Sequence, residues 1–426
     1  MRRRLARLNH ILIPSSRAER DRLRHSRVGR VATVIGALFY RVTPEAQLVA
    51  ALAFFAGITG LDVPSTDVHM LFALMSATLL ASLIVSQFYR LRAVRIEASC
   101  APRVTIGDEQ RFTITLKNTS DQDISRAQVL GPFLPWDGQW VDARPTPVRL
   151  DARSVASAEL RARFHQRGQH HLDPFVAGAV APLGLAVGPV IQSDGCRFVV
   201  VPKVATVLSL RMPQPRAIRS GNTTLDARAG DSMDLLGVRD YRPGDRVRDL
   251  HARSWARTGR PVVREYMQES ITAVGVLLDP SGEDDESFDA RLSLTAGMLD
   301  FIARGQSIAE LLVANPQGRE LVLGSRFASL DHALELLACT DPCEPQSPEA
   351  LAARVERREF PWSRALLVCG GVGPWQRAVV QALLRVGIPC GIYVVADPKR
   401  EPERESTTER VLSTDRVLRG REGLLL

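Results

Sequence analysis

The residues best suited to chemistry fall into three groups. The densest is a run of mixed charge, with Arg239, Asp240, Arg242, Asp245, Arg246, Arg248 and Asp249 inside eleven positions. Its carboxylates could act as general acids, but each has an arginine within a few residues. A guanidinium neighbour lowers a carboxyl pKa and makes a poor proton donor. The second group follows apolar runs that read as strands: Asp279-Pro280-Ser281-Gly282-Glu283, Cys369-Gly370-Gly371-Val372-Gly373 and Ala396-Asp397-Pro398. Open α/β sheets bind ligands outside the carboxyl ends of their strands. The glycine run precedes a helix, where a phosphate could sit. It lacks the Lys-Ser/Thr of a nucleotide loop and the full dinucleotide spacing. The third group is His165, His170 and His171. Their spacing matches no standard ligand set, and adjacent residues on a strand point to opposite faces, so they read as structural or surface residues. No Ser or Cys is paired with a His at motif spacing, and no catalytic residue is assigned.

The elements that must position these residues follow from local chemistry. Pro243-Gly244-Asp245 is a turn. Asp245 is expected to cap a helix over Arg246–Thr258, with Gly259 as its stop. His251 and Trp255 then share one face. Pro261–Tyr266 reads as a strand and Thr272–Leu278 as a fully apolar one. Beyond Ile271, apolar strands at Ile308–Val313, Ala365–Cys369 and Pro389–Val395 alternate with helical patterns at Phe288–Arg304, Ser329–Cys339, Pro348–Val355 and Pro374–Val386. Glu320–Leu323 adds a hairpin strand at one edge. Such alternation implies a mostly parallel sheet covered on both faces. Upstream the texture differs. Ala93–Ala98, Arg111–Leu116 and Ser157–Phe164 alternate at period two, Lys117–Asp121 is a turn, and Arg197–Pro202 is a short apolar strand. This predicts an all-β sandwich of immunoglobulin-like size.

The net charge of +8 is unevenly placed. The first 41 residues hold eleven arginines against Glu19 and Asp21, which leaves the rest of the chain slightly acidic. The basic character therefore belongs to one arm, and no nucleic-acid-binding face is expected on the body. Two uncharged apolar stretches follow, within 45–63 and 68–89, each about long enough to cross a bilayer. Arginines flank the outer ends of the pair, and the connection holds Asp62 and Asp67 without Lys or Arg. The positive-inside rule puts both ends in the cytoplasm. The arm's arginines beside a span also suit anionic headgroups. No cleavable signal peptide is recognised. The six cysteines, Cys100, Cys196, Cys339, Cys343, Cys369 and Cys390, include no Cys-x-x-Cys pair. They read as unpaired thiols of a reducing compartment.

Two resemblances add to this. Over Gly237–Ser281, Arg239-Asp240-Tyr241-Arg242-Pro243-Gly244-Asp245 and the segment after it resemble the signature of the domain-of-unknown-function family numbered 58, which runs Arg-x-Tyr-x-x-Gly-Asp and then Arg-x-Ile-x-Trp. Arg167–Gly188 resembles the segment that family members carry ahead of it. One departure is Ala252 where the family has Trp; Trp255 stands three residues on. Asp279-Pro280-Ser281-Gly282-Glu283 resembles the Asp-x-Ser-x-Ser start of the metal-ion-dependent adhesion site of von Willebrand factor A domains, with Glu283 at the second Ser. That likeness implies Mg²⁺ held by Asp279, Ser281 and Glu283. The later loops offer no matching Thr or Asp, so no resident cofactor is assigned and Mg²⁺ is the one candidate.

The resulting expectation is a multidomain chain. A basic cytoplasmic arm (1–41) precedes two transmembrane helices forming a hairpin (42–90). An all-β, immunoglobulin-like sandwich (91–206) follows, then a linker and the signature (207–270). Last comes an α/β von Willebrand A-like domain with a mostly parallel sheet (271–426). The family resemblance implies a bacterial inner-membrane adaptor that works with a MoxR-type AAA+ ATPase on a client protein. Arg239, Asp240, Tyr241, Gly244, Asp245, Arg248, His251 and Arg257 are its structural or partner-binding signature. The alternative is a membrane-bound, metal-dependent hydrolase using carboxylates at the α/β strand ends, with its site at Asp279, Glu283 and Asp245.

Overall fold

The computed structural model describes residues 22, 41–62, 66–134, 137–141, 146–213, 235–245, 247–266, 273–283, 286–305, 307–323, 329–357, 362–396, 409–419 and 423–426. Nearly all of the expected basic arm, most of the linker, Arg246, Asp284, Asp285 and Asp397 lie outside the described residues. The chain divides into two compact units: Met1–Lys203 with Leu334–Thr340, and Val204–Ala333 with Asp341–Leu426.

The first unit opens with α1 (Pro44–Asp62) and α2 (Thr66–Ser86). Neither has a polar stripe. Leu48, Phe54, Phe55, Met70, Leu74 and Leu80 are all exposed, so neither helix turns a single apolar stripe into a protein core. Of the two, α2 is long and apolar enough to cross a membrane; the apolar part of α1 is the shorter Pro44–Gly60. The loop at 184–188 holds the outer ends of both helices. Thr43 Oγ1 donates to Gly184 O at 2.8 Å, and Val187 N donates to Arg41 O at 2.9 Å. Gly188 lies so close to the chain after α2 that a Cβ would fall 1.8 Å from Tyr89 O.

Period-two patterning then builds a layered β structure. One sheet runs β1 (Val94–Cys100), β3 (Glu109–Asn118), β7 (Val155–Phe164) and β5 (Gly138–Trp140), all antiparallel. A second runs β10 (Ile191–Gln192), β9 (Val176–Ala179), β4 (Ile124–Leu130) and β6 (Thr146–Leu150). A third runs β2 (Arg103–Thr105), β11 (Cys196–Val201) and β8 (Gly168–Leu172). Phe112, Ile114 and Leu116 on β3 and Leu160, Ala162 and Phe164 on β7 point inward at every second position. They meet Phe175 and Phe198 in an aromatic cluster. Each such aromatic buries roughly 150–250 Å², so this cluster carries much of the unit's hydrophobic stabilisation.

In the second unit, β12 (Val207–Ser209) pairs with β21 (Leu424–Leu425), and β13 (Leu235–Asp240) forms an antiparallel ribbon with β14 (Val262–Tyr266) around α3 (Ala252–Thr258). The largest sheet has the order β17 (Arg319–Leu323), β16 (Ile308–Val313), β15 (Ala273–Leu278), β18 (Trp362–Cys369), β19 (Cys390–Ala396) and β20 (Glu409–Ser413). Its remaining helices are α4 (Glu286–Arg304), α5 (Leu330–Ala338), α6 (Pro348–Glu356), α7 (Pro374–Arg385) and α8 (Thr414–Arg419), with α5 shared between the two units. β15 is buried along its whole length. The strand order reverses direction between β15 and β18, so their carboxyl ends flank the sheet's switch point.

The expected fold class is corrected. The described residues form six sheets, and antiparallel pairs outnumber parallel ones. The chain is thus mostly β, and among the described residues a single helix, α2, is long and apolar enough to span a membrane, so the expected transmembrane hairpin is not shown. The von Willebrand A-like assignment is also withdrawn. The large sheet is parallel from β16 through β20, with β17 antiparallel at its edge, but the β15 strand end is not built as an open oxygen cluster. The overcounted hairpin has a physical cause: an apolar stretch near bilayer length reads as a span from composition alone, and the apolar part of α1 falls short of it.

Candidate functional site

Two places gather the residues singled out from the sequence. The first is the β13–β14 ribbon. Pro243-Gly244 turns the chain, with Gly244 at φ 105°. The turn carries Asp245 back to Arg239, which donates Nη1 to Oδ2 at 2.7 Å and Nη2 to Oδ1 at 2.9 Å. The Arg242 backbone N–H donates to Oδ2 as well, at 2.8 Å. The paired guanidinium, and next the backbone N–H, hold the Asp245 carboxyl down at about 2. It is ionised at neutral pH with both oxygens engaged, which suits a brace and not a proton donor. Tyr241 N donates to Pro261 O at 2.9 Å across the ribbon.

Asp245 does not cap the following helix, contrary to expectation. Val247–Asp249 is a single 3₁₀ turn, and α3 starts at Ala252 with His251 as N-cap. His251 Nδ1 accepts from Ser254 N at 3.2 Å and from the Ser254 hydroxyl at 2.6 Å. The C-terminal stop is Gly259, at φ 69°. The competing principle is the pull of Arg239: a carboxylate bound bidentately by a guanidinium is no longer free to reach backbone N–H groups ahead of it. Arg248, Trp255 and Arg257 are exposed, and α3 has no buried residue.

The second place is the carboxyl end of β15. Asp279 is fully buried. Its Oδ1 accepts from Ser281 N at 2.9 Å. Its Oδ2 accepts from the Ser281 hydroxyl at 2.9 Å and from Gln376 Nε2 at 2.7 Å. Gln376 also accepts from Gly373 N at 2.8 Å, so it closes the first turn of α7 onto Asp279. Glu283, the third residue of the implied Mg²⁺ set, is exposed. Among the described residues no group of three or more His, Cys, Asp or Glu side chains could hold a metal.

A buried arginine completes the second place. Arg291 on α4 donates Nη1 to Asp279 O at 3.1 Å and to Ser281 O at 2.6 Å. Its guanidinium lies 4.8 Å over the Phe288 ring. The residues present do not fit Mg²⁺, which needs near-octahedral oxygens at roughly 2.0–2.1 Å. The strand-end carbonyls accept from a guanidinium, and the Ser281 hydroxyl is spent on the Asp279 carboxylate. The sequence offered one signal for Arg291, a lone cation on the otherwise apolar face of Phe288, Leu292 and Leu299. Nothing pointed to Gln376 or to the buried Glu310–Trp362 pair, where Trp362 Nε1 donates at 2.5 Å.

The histidines behave as structural residues. His165 is exposed, whereas His170 is buried between Asp137 Oδ2 at 2.7 Å and Gly168 O at 3.1 Å. All six cysteines are free.

No family model matches the chain, and no curated protein does either. Solved structures match over parts of it. One is an alpha-2-macroglobulin fragment from Escherichia coli, at 14% identity over 29% of this chain and 21% of that one, TM-score 0.21. Another is a CARDB domain from Pyrococcus furiosus solved with two metal ions, at 12% identity over 25% and 87%, TM-score 0.17. A beta-glucosidase from Listeria innocua matches at 17% identity over 24% and 16%, TM-score 0.14. The chain spans about a fifth of the length of the macroglobulin fragment. Scores this low carry no inference about fold or activity.

Proposed function

We propose that the chain is a membrane-anchored adaptor, or scaffold, working with a MoxR-type AAA+ ATPase in assembly or remodelling of other proteins. The observation that carries this reading is the braced ribbon: a bidentate Arg239–Asp245 clamp and a capped α3 present Trp255, Arg253 and Arg257 to solvent. Trp and Arg are the residues most enriched where proteins bind one another, and a rigid support lowers the entropy cost of docking. The class of partner rests on the resemblance of Arg239–Asp245 to the family signature. The hydrolase reading needs free carboxylates, and those of Asp245 and Asp279 are both engaged.

The same proposal places the chain in a bacterial inner membrane with its N-terminus and main units in the cytoplasm. The 184–188 loop supports this, because it holds the start of α1 and the end of α2 together. With both outer ends tied to one loop, the chain before α1 and the chain after α2 stay on one face of the membrane.

The test is a pulldown from native membranes with tagged full-length chain, beside a Trp255→Ala, Arg257→Glu variant. Wild type should recover an AAA+ ATPase, and the variant about tenfold less, as truncation of a central interface residue does. Failure of wild type to recover any such ATPase from intact membranes would sink the adaptor reading. Equal recovery by both would move docking off α3.

A further inference from the structure

The strand end that resembles an adhesion-type metal site contains a cation of its own. Arg291 is 3% exposed. Its guanidinium reaches the two backbone oxygens that leave β15, at Asp279 and Ser281. The surrounding chain is shaped to admit it. Gly282 has φ 119°, and a Cβ there would sit 2.9 Å from Arg291 Nη2; one at Gly370 would sit 3.4 Å from Cζ. Two glycines on the loops after β15 and β18 thus face the same guanidinium. On the far side of the loop, the Asp279 carboxylate is held by Ser281 and by Gln376 of α7. Asp279, α4 and α7 are therefore tied into one charged, hydrogen-bonded cluster.

We propose that Arg291 is a resident cation in place of a divalent metal, making the β15 strand end a metal-independent latch. A guanidinium beside the loop has two consequences: it occupies the carbonyl oxygens of Asp279 and Ser281 that a hard cation would take, and it repels a second cation from the cluster. The planar fork also fixes direction, which a spherical ion with exchangeable waters does not. The loops at 279–282 and 370–373 are then set by the covalent chain at any Mg²⁺ concentration. This inference concerns the latch and holds whatever partner the ribbon binds.

The experiment uses the full chain in detergent, with Mn²⁺ as a paramagnetic probe and Mg²⁺ or EDTA in thermal unfolding. Wild type should leave the free Mn²⁺ signal undiminished, and its unfolding temperature should be the same in Mg²⁺ and EDTA. In Arg291→Ala the two strand-end carbonyls lose their donor and the repelling charge is gone, so the unfolding temperature should fall and Mg²⁺ should now raise it. Arg291→Lys keeps the charge but loses the fork, and it should fall less and stay insensitive to Mg²⁺. Mn²⁺ uptake by wild type that Asp279→Asn abolishes would overturn the proposal without recourse to any Arg291 variant. A folded Arg291→Ala chain that ignores Mg²⁺ would overturn it too.

Discussion

At the scale of single residues, buried charge is what distinguishes this molecule. Glu310 is 5% exposed on β16 and accepts the Trp362 N–H. Burial pushes its carboxyl above the usual range, against the lowering effects of Trp362 and of the Arg354 charge. An acid whose folded pKa is raised binds its proton more tightly folded than unfolded. Its effect on stability therefore turns unfavourable as pH rises from the unfolded value of about 4.5 towards the folded one. Glu310→Gln keeps an oxygen for Trp362 and removes the charge. The variant should unfold on the order of 2 °C above wild type at neutral pH, and the gap should close below about pH 4.5. A gap unchanged across that range in calorimetric scans would mean that Glu310 carries no such cost. Asp245 is the opposite case, an acid held ionised by Arg239. The presence of arginine near each signature Asp was legible from spacing alone. Which arginine forks onto which carboxylate was not, because the Pro243-Gly244 turn decides it.

At the scale of elements, patterning predicted local structure better than it predicted class. Alternation at 111–116 and 157–164 lies in β3 and β7, and the inward positions are those the alternation selects. The Glu320–Leu323 edge strand and the helix starting at Pro374 are also where local chemistry put them. What stayed hidden is whatever depends on residues distant in sequence: the Arg291 contacts and the Gln376 tie. The start of α3 failed for a related reason. Asp245 is a good cap by type, but the clamp removes it, and His251 takes the role six residues on. If His251 is the cap, His251→Ala should cost α3 about 1 kcal/mol, and His251→Asn, which puts a preferred capping acceptor there, should cost nothing. Amide exchange across 252–258 measures this directly; equal protection in all three chains would show that α3 is held by something other than its cap.

At the scale of the whole molecule, the question is which side of a membrane the β structure faces. α2 can cross a bilayer, and its apolar residues are exposed as lipid contact would require. The loop at 184–188 ties the end of α2 to the same surface as the start of α1. If the pair crosses and returns, the connection near Asp67 lies across the membrane from Asp108 on the sandwich. Both residues are exposed, so both can be replaced by cysteine without disturbing a core. In a background with Cys100, Cys339 and Cys343 changed to Ser, a membrane-impermeant maleimide added to intact spheroplasts should label Asp67→Cys. It should label Asp108→Cys only after lysis. The charge pattern argues for the same outcome, since Arg41 and Arg90 flank the outer ends and the connection holds acids alone. Labelling of Asp108→Cys in intact cells would reverse the orientation and remove the ribbon from the cytoplasmic ATPase it is proposed to meet. Labelling of neither would place α1 and α2 on the near face of the bilayer, lying along it through their apolar sides.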